Sequence, residues 1–209
     1  MTRMAIANGP RAVNFARTRN ICMTMTPMPR NITGVILAGG KSRRMGQDKS
    51  QLPYRGTTLL AHMQDVLQQA GITQVLINNA ENLSDAIPGK GPLGGVHAAL
   101  KAVRDGAGFL LCVPVDMPGL TVPLLEQLIK APESVEIVRF GDFMLPFRLK
   151  VSDALLAIIE ETLGGDDYSL KSFQQQPGLK MLPVNPTDEI NFANLNTPQD
   201  WEAFGEGAG

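Results

Sequence analysis

From Gly34 onward, short apolar runs alternate with longer stretches whose apolar positions recur every three or four residues. "GVILAG" (34–39) predicts a buried strand, rich in β-branched residues and closed by glycine. In "TTLLAHMQDVLQQAG" (57–71), Leu59, Leu60, Met63, Leu67 and Ala70 fall on helical spacing. Thr57 or Thr58 stands ready to cap that helix and Gly71 to stop it. "QVLINN" (74–79) reads as a second strand, and the Gly/Pro-rich loop "AENLSDAIPGKGPLGG" (80–95) leads into a helix, "GVHAALKAVRDG" (95–106). "FLLCVPVD" (109–116) predicts a third strand and "TVPLLEQLIKA" (121–131) a third helix. Strands alternating with helices imply a parallel sheet with right-handed crossovers, covered on both faces.

The second half is less regular. "VEIVRF" (135–140) and "FMLPFRLKV" (143–151) predict a strand pair around Gly141-Asp142. "SDALLAIIEETLGG" (152–165) reads as a helix with Ser152 as N-cap and Gly164 as C-cap. A short helix in "YSLKSFQQQPG" (168–178), a strand in "LKMLPV" (179–184) and a last helix in "TPQDWEAFG" (197–205), with Pro198 in its first turn, complete the pattern. No internal repeat is present. The fold expected is α/β: a doubly wound, mainly parallel sheet in a three-layer sandwich, whose later portion builds a substrate side.

Composition narrows the function classes. The chain has 209 residues, 44% hydrophobic and 19% charged, with a formal net charge of -1. Near-neutrality argues against a general nucleic-acid or membrane-surface binder, which needs a basic excess. No apolar run approaches the ~20 residues that span a bilayer. Two cysteines, Cys22 and Cys112, cannot make a disulfide framework, and Cys112 sits in an apolar strand as a small hydrophobe. A cytoplasmic, monomeric protein is expected. Asn31-Ile32-Thr33 and Asn82-Leu83-Ser84 match the glycosylation pattern by chance on that reading. Residues 1–30 hold five arginines and no acid. They read as a disordered extension or one added by an upstream start codon, with Met23 or Met25 the natural beginning, in preference to a targeting peptide. Residues 31–209 read as one domain.

The chemistry concentrates where the first strand ends. Gly40-Lys41-Ser42 looks like the tail of a P-loop, but the leading glycine that a Walker-A loop requires falls on Val35. A G-x-G-x-x-G fingerprint fails as well, since no glycine follows Gly39-Gly40 until Gly46. What remains is a glycine pair at a strand's carboxyl end, followed by Lys41, Arg43, Arg44 and Lys49, four cations within nine residues. Open α/β sheets bind ligands at that end; glycines let the backbone approach a base or phosphate, and fixed cations neutralise a polyphosphate.

"LAGGKSRRMGQDK" (37–49) resembles the L-A-G-G-x-S/x-x-R-M-G-x-D-K opening of the molybdenum cofactor guanylyltransferases, nucleotidyltransferases of nucleotide-diphospho-sugar transferase-like fold. Three more segments match in order: "GPLGG" (91–95) the G-P-L-x-G loop, "PVDMP" (114–118) the strand-end D-M-P, and "FANLNTPQD" (192–200) the late F-x-N-x-N-T-P-x-D/E. The similarity runs from about Ile32 to Phe204.

The resemblance implies transfer of GMP from GTP to molybdopterin-bound molybdenum cofactor, with release of pyrophosphate. It assigns Arg44 and Lys49 to the triphosphate as catalytic cations, and Asp116 to catalysis as a ligand of Mg²⁺. Asp116 has a competing reading as a helix N-cap, though Thr121 lies closer to the next helix. Asp48 balances or orients the cation cluster. Leu37, Ala38, Gly39 and Gly40 line the guanine pocket, with the Gly91-Pro92-Leu93 turn opposite. Asn78 contacts the nucleotide, Asp85 in a shortened loop stands for an aspartate that also contacts it, and Asn194 and Asn196 face the pterin. Joining two polyanions needs alignment and charge neutralisation more than proton abstraction, so His62 and His97 read as structural. Partners implied are GTP, the molybdenum cofactor, and proteins that deliver the cofactor or serve individual molybdoenzymes. Two departures fall on the substrate side: Leu145 stands where histidine is common, and Tyr168 where arginine often precedes Ser-Leu. A nucleotidyltransferase with another acceptor or base, and a non-catalytic nucleotide-binding protein of the same fold, are the alternatives.

Overall fold

A computed structural model describes residues 31–39, 48–106, 108–175, 177–197, 199–200 and 204. The expectations for residues 1–30, for the basic loop 40–47 with Gly40 and Arg44, and for most of the last helix lie outside the described residues.

In chain order the elements are β1 (Ile32–Leu37), β2 (Pro53–Tyr54), β3 (Thr57–Thr58), α1 (Leu59–Gln69), β4 (Gln74–Asn78), α2 (Gly91–Val103), β5 (Phe109–Pro114) and α3 (Val122–Ile129). There follow β6 (Ile137–Phe140), β7 (Phe147–Lys150), α4 (Asp153–Gly164), α5 (Leu170–Phe173) and β8 (Leu179–Leu182). Two 3₁₀ turns, Lys49–Gln51 and Pro186–Phe192, flank the strand ends. The main sheet has the order β4-β1-β5-β7-β6-β8. β1 pairs in parallel with both β4 and β5, and β6 with β8; β7 runs antiparallel between β5 and β6. The sheet is thus mainly parallel, as expected, and the strand pair around Gly141 supplies its one reversed strand.

Both faces of the central strands β1 and β5 are covered, which is why these two read as largely apolar runs. Along β1 the side chains alternate: Ile36 joins Leu59, Met63, Leu125 and Phe140 under α1 and α3, whereas Val35 joins Val96, Leu100, Cys112, Ile159 and Phe173 under α2, α4 and α5. Each fully buried aliphatic or aromatic side chain here contributes roughly 1.5–3 kcal/mol. The buried Arg148 on β7 reaches the carbonyls just past α3, donating to Ala131 O at 2.8 Å and Pro132 O at 2.9 Å while stacking on Phe109. Burial pulls its pKa down, and Glu133 opposes that.

Of the two threonines expected to cap α1, Thr58 is the one that does, accepting from Ala61 N. Three features differ from the sequence reading. β2 and β3 form a small hairpin that composition hid, because its turn places Arg55 at φ 48° beside Gly56 at φ 82°. α4 runs through Gly164 and is capped by Gly165. α2 begins at Gly91 instead of Gly95, so "GPL" is its first turn, with Pro92 at a position that needs no N–H donor.

Candidate active site

The parallel strands β1, β4 and β5 all end at one edge, and the candidate residues gather there. On the α2 side, Ala38 N donates to Asn78 O at 3.0 Å, extending the β1–β4 ladder by one residue. The Asn78 side chain is 4% exposed. Its amide nitrogen donates to Leu83 O at 2.9 Å and Asp85 Oδ1 at 2.8 Å, tying the loop after β4 back to the strand end. Its amide oxygen fills the space that side chains at Gly39 and Gly95 would need: a Cβ on Gly95 would lie 2.2 Å from it. Gly39, Asn78, Asp85 and α2 therefore make one interlocked wall. Leu93 lies in the first turn of α2. Its side chain is fully buried in the core beneath α2, so only its backbone is available to a ligand.

On the α1 side, three separate segments converge. Asp48 accepts from Ser50 N and so caps the 3₁₀ turn that carries Lys49, a structural task in keeping with its expected supporting part. The Lys49 ammonium lies 3.0 Å from Asp116 Oδ2 and also donates to Asn196 Oδ1. Asp116 stands two residues past the end of β5; Val115 N bonds Leu37 O, and Asp116 O accepts from Leu195 N at 2.8 Å. That backbone bond brings the Asn194–Asn196 stretch onto the strand end. Asn194 and Asn196 are exposed there, while Leu195 between them is buried. Asp116 caps no helix: Thr121 occupies the N-cap position of α3, though without a side-chain hydrogen bond.

One residue of this site escaped the sequence reading. Asp200 Oδ2 accepts from Asn196 N at 2.8 Å and Thr197 N at 2.7 Å, and Thr197 Oγ1 accepts from Asp200 N in return. This capping box fixes the Asn196 backbone against Lys49. The two backbone N–H donors, with smaller help from Lys49, hold the Asp200 carboxyl below its ordinary 3.8. The signal was present as Thr197-x-x-Asp200, with an acid in the fourth place of the box.

The histidines serve packing. His62 Nε2 meets Pro118 O at 3.0 Å and its ring tilts on Tyr54; His97 Nε2 meets Glu160 at 3.2 Å. The departures on the substrate side are also placed. Leu145 packs on the core, joined to Pro146 by a cis bond, and Phe143 in the same turn stacks on Phe192 at 4.3 Å, next to the Asn194–Asn196 stretch. Tyr168 carries the Lys90 ammonium over its ring.

Chemically, the α1 side offers one ammonium, one carboxylate and one amide around a common point. Among the described residues no cluster of three or more His, Cys, Asp or Glu is placed to hold a metal. Asp116 uses one oxygen on Lys49, leaving Oδ1 without a partner among the described residues. A lone carboxylate oxygen of this kind fits Mg²⁺, which takes its remaining ligands from phosphate and water. No described helix is long and apolar enough to cross a membrane.

Residues 34–177 match the family described as the MobA-like NTP transferase domain. The molybdenum cofactor guanylyltransferase of Xanthomonas euvesicatoria is 39% identical over 175 residues, covering 81% of this chain and 92% of its own. That of Syntrophotalea carbinolica is 37% identical over 196 residues, covering 82% and 90%. Among solved structures, molybdopterin-guanine dinucleotide biosynthesis protein A from Archaeoglobus fulgidus superposes with a TM-score of 0.64 at 21% identity, over 84% of this chain and 98% of that one. The chain belongs to the MobA-like nucleotidyltransferase family.

Proposed function

We propose that the protein transfers GMP from GTP to the terminal phosphate of molybdopterin-bound molybdenum cofactor, releasing pyrophosphate. The meeting of Lys49, Asp116 and Asn196 at the end of β5 carries this reading, and the relatives named for the same reaction support it. The acceptor phosphate oxygen attacks the α-phosphorus of GTP; the bond from that phosphorus to the bridging oxygen breaks, and pyrophosphate leaves with the electron pair. No proton need be removed from an ionised phosphate, which suits a site whose histidines face elsewhere. Lys49, with Arg44 from the same basic loop, neutralises charge on the α-phosphate and on the departing pyrophosphate. Asp116 would hold Mg²⁺ with the triphosphate oxygens, the ion when bound supplying Lewis-acid charge. The guanine would lie against the wall of Leu37, Ala38 and Gly39, facing the backbone of Gly91, Pro92 and Leu93, with Gly40 assigned to it by the sequence motif alone. Asn78 and Asp85 shape that wall, each already engaged with the other, while Asn194 and Asn196 present donors and acceptors to a pterin edge.

Incubation with the acceptor cofactor and each nucleoside triphosphate in turn tests the proposal. GTP alone should give a pterin dinucleotide in quantity. Equal product from CTP would overturn the guanine assignment, and no product from any nucleotide would overturn the transfer itself.

A further inference from the structure

Outside the Lys49 cluster, a second cation stands at the same edge of the sheet. The Lys90 ammonium lies 4.2 Å from the centroid of the Tyr168 ring. Its backbone immediately precedes α2, and its Cβ and the Asp85 carboxylate both approach within 3.3 Å of the point where a Gly94 side chain would begin. Lys90 therefore borders the wall built from Asn78, Asp85 and Gly39. α2, α4 and α5 pack on one face of the sheet, and Tyr168 lies between the last two. The 3₁₀ turn of Lys49 packs on the opposite face, against α1. The two lysines flank the strand ends from opposite layers.

The fold gains little from this lysine. It gives α2 no side-chain cap, and a cation at a helix N-terminus opposes the helix dipole. Among the described residues it forms no ion pair with a carboxylate; Asp85, which meets the same spot beside Gly94 as the Lys90 Cβ, gives Oδ1 to Asn78. Its held partner is an aromatic face 39% exposed to solvent. A ring positions an ammonium without cancelling its charge, leaving its N–H donors free to meet an anion. A carboxylate partner would have done the opposite.

We propose that Lys90, held by Tyr168, is an additional phosphate-binding residue of the cleft, gripping one of the two phosphate-bearing substrates. Tyr168 is then a positioning residue, and an ammonium on its ring serves where the family resemblance implies an arginine. This inference rests on the GMP-transfer reading for its substrates, yet its test includes direct binding that does not need turnover.

The test measures GTP binding by calorimetry, acceptor binding by pterin fluorescence, and steady-state rates, for wild type and four variants. Lys90→Met should weaken one substrate about fivefold to tenfold, in Kd and KM together, with kcat and thermal stability unchanged. GTP as the weakened ligand identifies the triphosphate as the group held; the acceptor identifies its own phosphate. Tyr168→Ala should reproduce the loss and Tyr168→Phe should retain wild-type affinity, because the ring face and not the hydroxyl holds the cation. Tyr168→Arg combined with Lys90→Met should recover affinity. Unchanged binding of both substrates by Lys90→Met, or a loss with Tyr168→Phe equal to that with Tyr168→Ala, would overturn the proposal. A wild-type protein that binds GTP but makes no dinucleotide would overturn the transfer reading instead, and the GTP comparison would still decide whether Lys90 holds the triphosphate.

Discussion

Lys49→Ala separates catalytic from structural duty at the centre of the site. The Lys49 and Asp116 side chains are 19% and 21% exposed, and their ion pair spans 3.0 Å. A pair that keeps this much contact with water contributes up to about 1 kcal/mol to folding. Water can replace the ammonium on Asp116 when it is removed, so no uncompensated buried charge is left behind. For a chain of this length, about 1 kcal/mol shifts Tm by roughly 2–4 °C. The kinetic cost is on a different scale. A positioned charge facing the developing charge of a transition state is worth about 2.7–4 kcal/mol, or roughly a hundredfold to a thousandfold in kcat. Circular dichroism melting and pyrophosphate release under saturating substrates would measure both on one preparation. Turnover within about threefold of wild type would refute the phosphate role. A Tm lowered by more than about 10 °C would refute the claim that the lysine stands apart from the fold.

Other substitutions probe the surroundings. Asp116→Asn should shift the Mg²⁺ titration of activity to about tenfold higher concentration while leaving GTP selectivity intact; an unchanged titration would reject the ligand role. Gly95→Ala places a Cβ 2.2 Å from Asn78 Oδ1, forcing that side chain off β4; a loss of about 1–3 kcal/mol in urea unfolding is expected, together with weakened GTP binding. Arg148→Met leaves the Ala131 carbonyl without its Arg148 donor and Pro132 O with Val135 N alone, and should cost about 1–3 kcal/mol of stability without altering nucleotide selectivity. Asp200→Ala should raise KM for the acceptor by releasing the Asn196 backbone. Because the folded-state pKa of Asp200 is depressed, its stabilising effect is in place above the unfolded value near 3.8 and is lost as pH falls through the lower folded value. Unfolding curves of wild type and Asp200→Ala should therefore differ at pH 6 and converge in strong acid.

The layered α/β architecture was legible because β1 and β5 are buried along nearly their whole length and carry apolar runs, β4 at the sheet edge keeps a half-buried apolar stretch from Val75 to Ile77, and α1 and α3 show one apolar stripe each. Positions of chemistry were legible where a motif sits at a strand end, as with Lys49 and Asp116, which meet although separated by 67 residues. Features that depend on backbone detail were not. The β2–β3 turn uses a positive φ at Arg55, a residue that composition does not mark for turns. The early start of α2 was masked by "GPLGG", whose glycines suggest a loop but here admit Asn78 against the helix. Leu93 shows the same limit: a motif position names a residue, and only packing tells which way its side chain points. The Lys90–Tyr168 contact joins segments 78 positions apart that no local pattern links.

The central claim is that a phosphate acceptor is brought to the α-phosphorus of GTP beside Lys49 and Asp116. Parallel reactions with GTP labelled at the α- or the γ-phosphate, in the presence of the acceptor cofactor and Mg²⁺, test it most directly. The α-label should appear in a pterin dinucleotide and the γ-label in pyrophosphate, in equal amounts. Release of the γ-label as inorganic phosphate, with the α-label staying on GDP, would contradict the account.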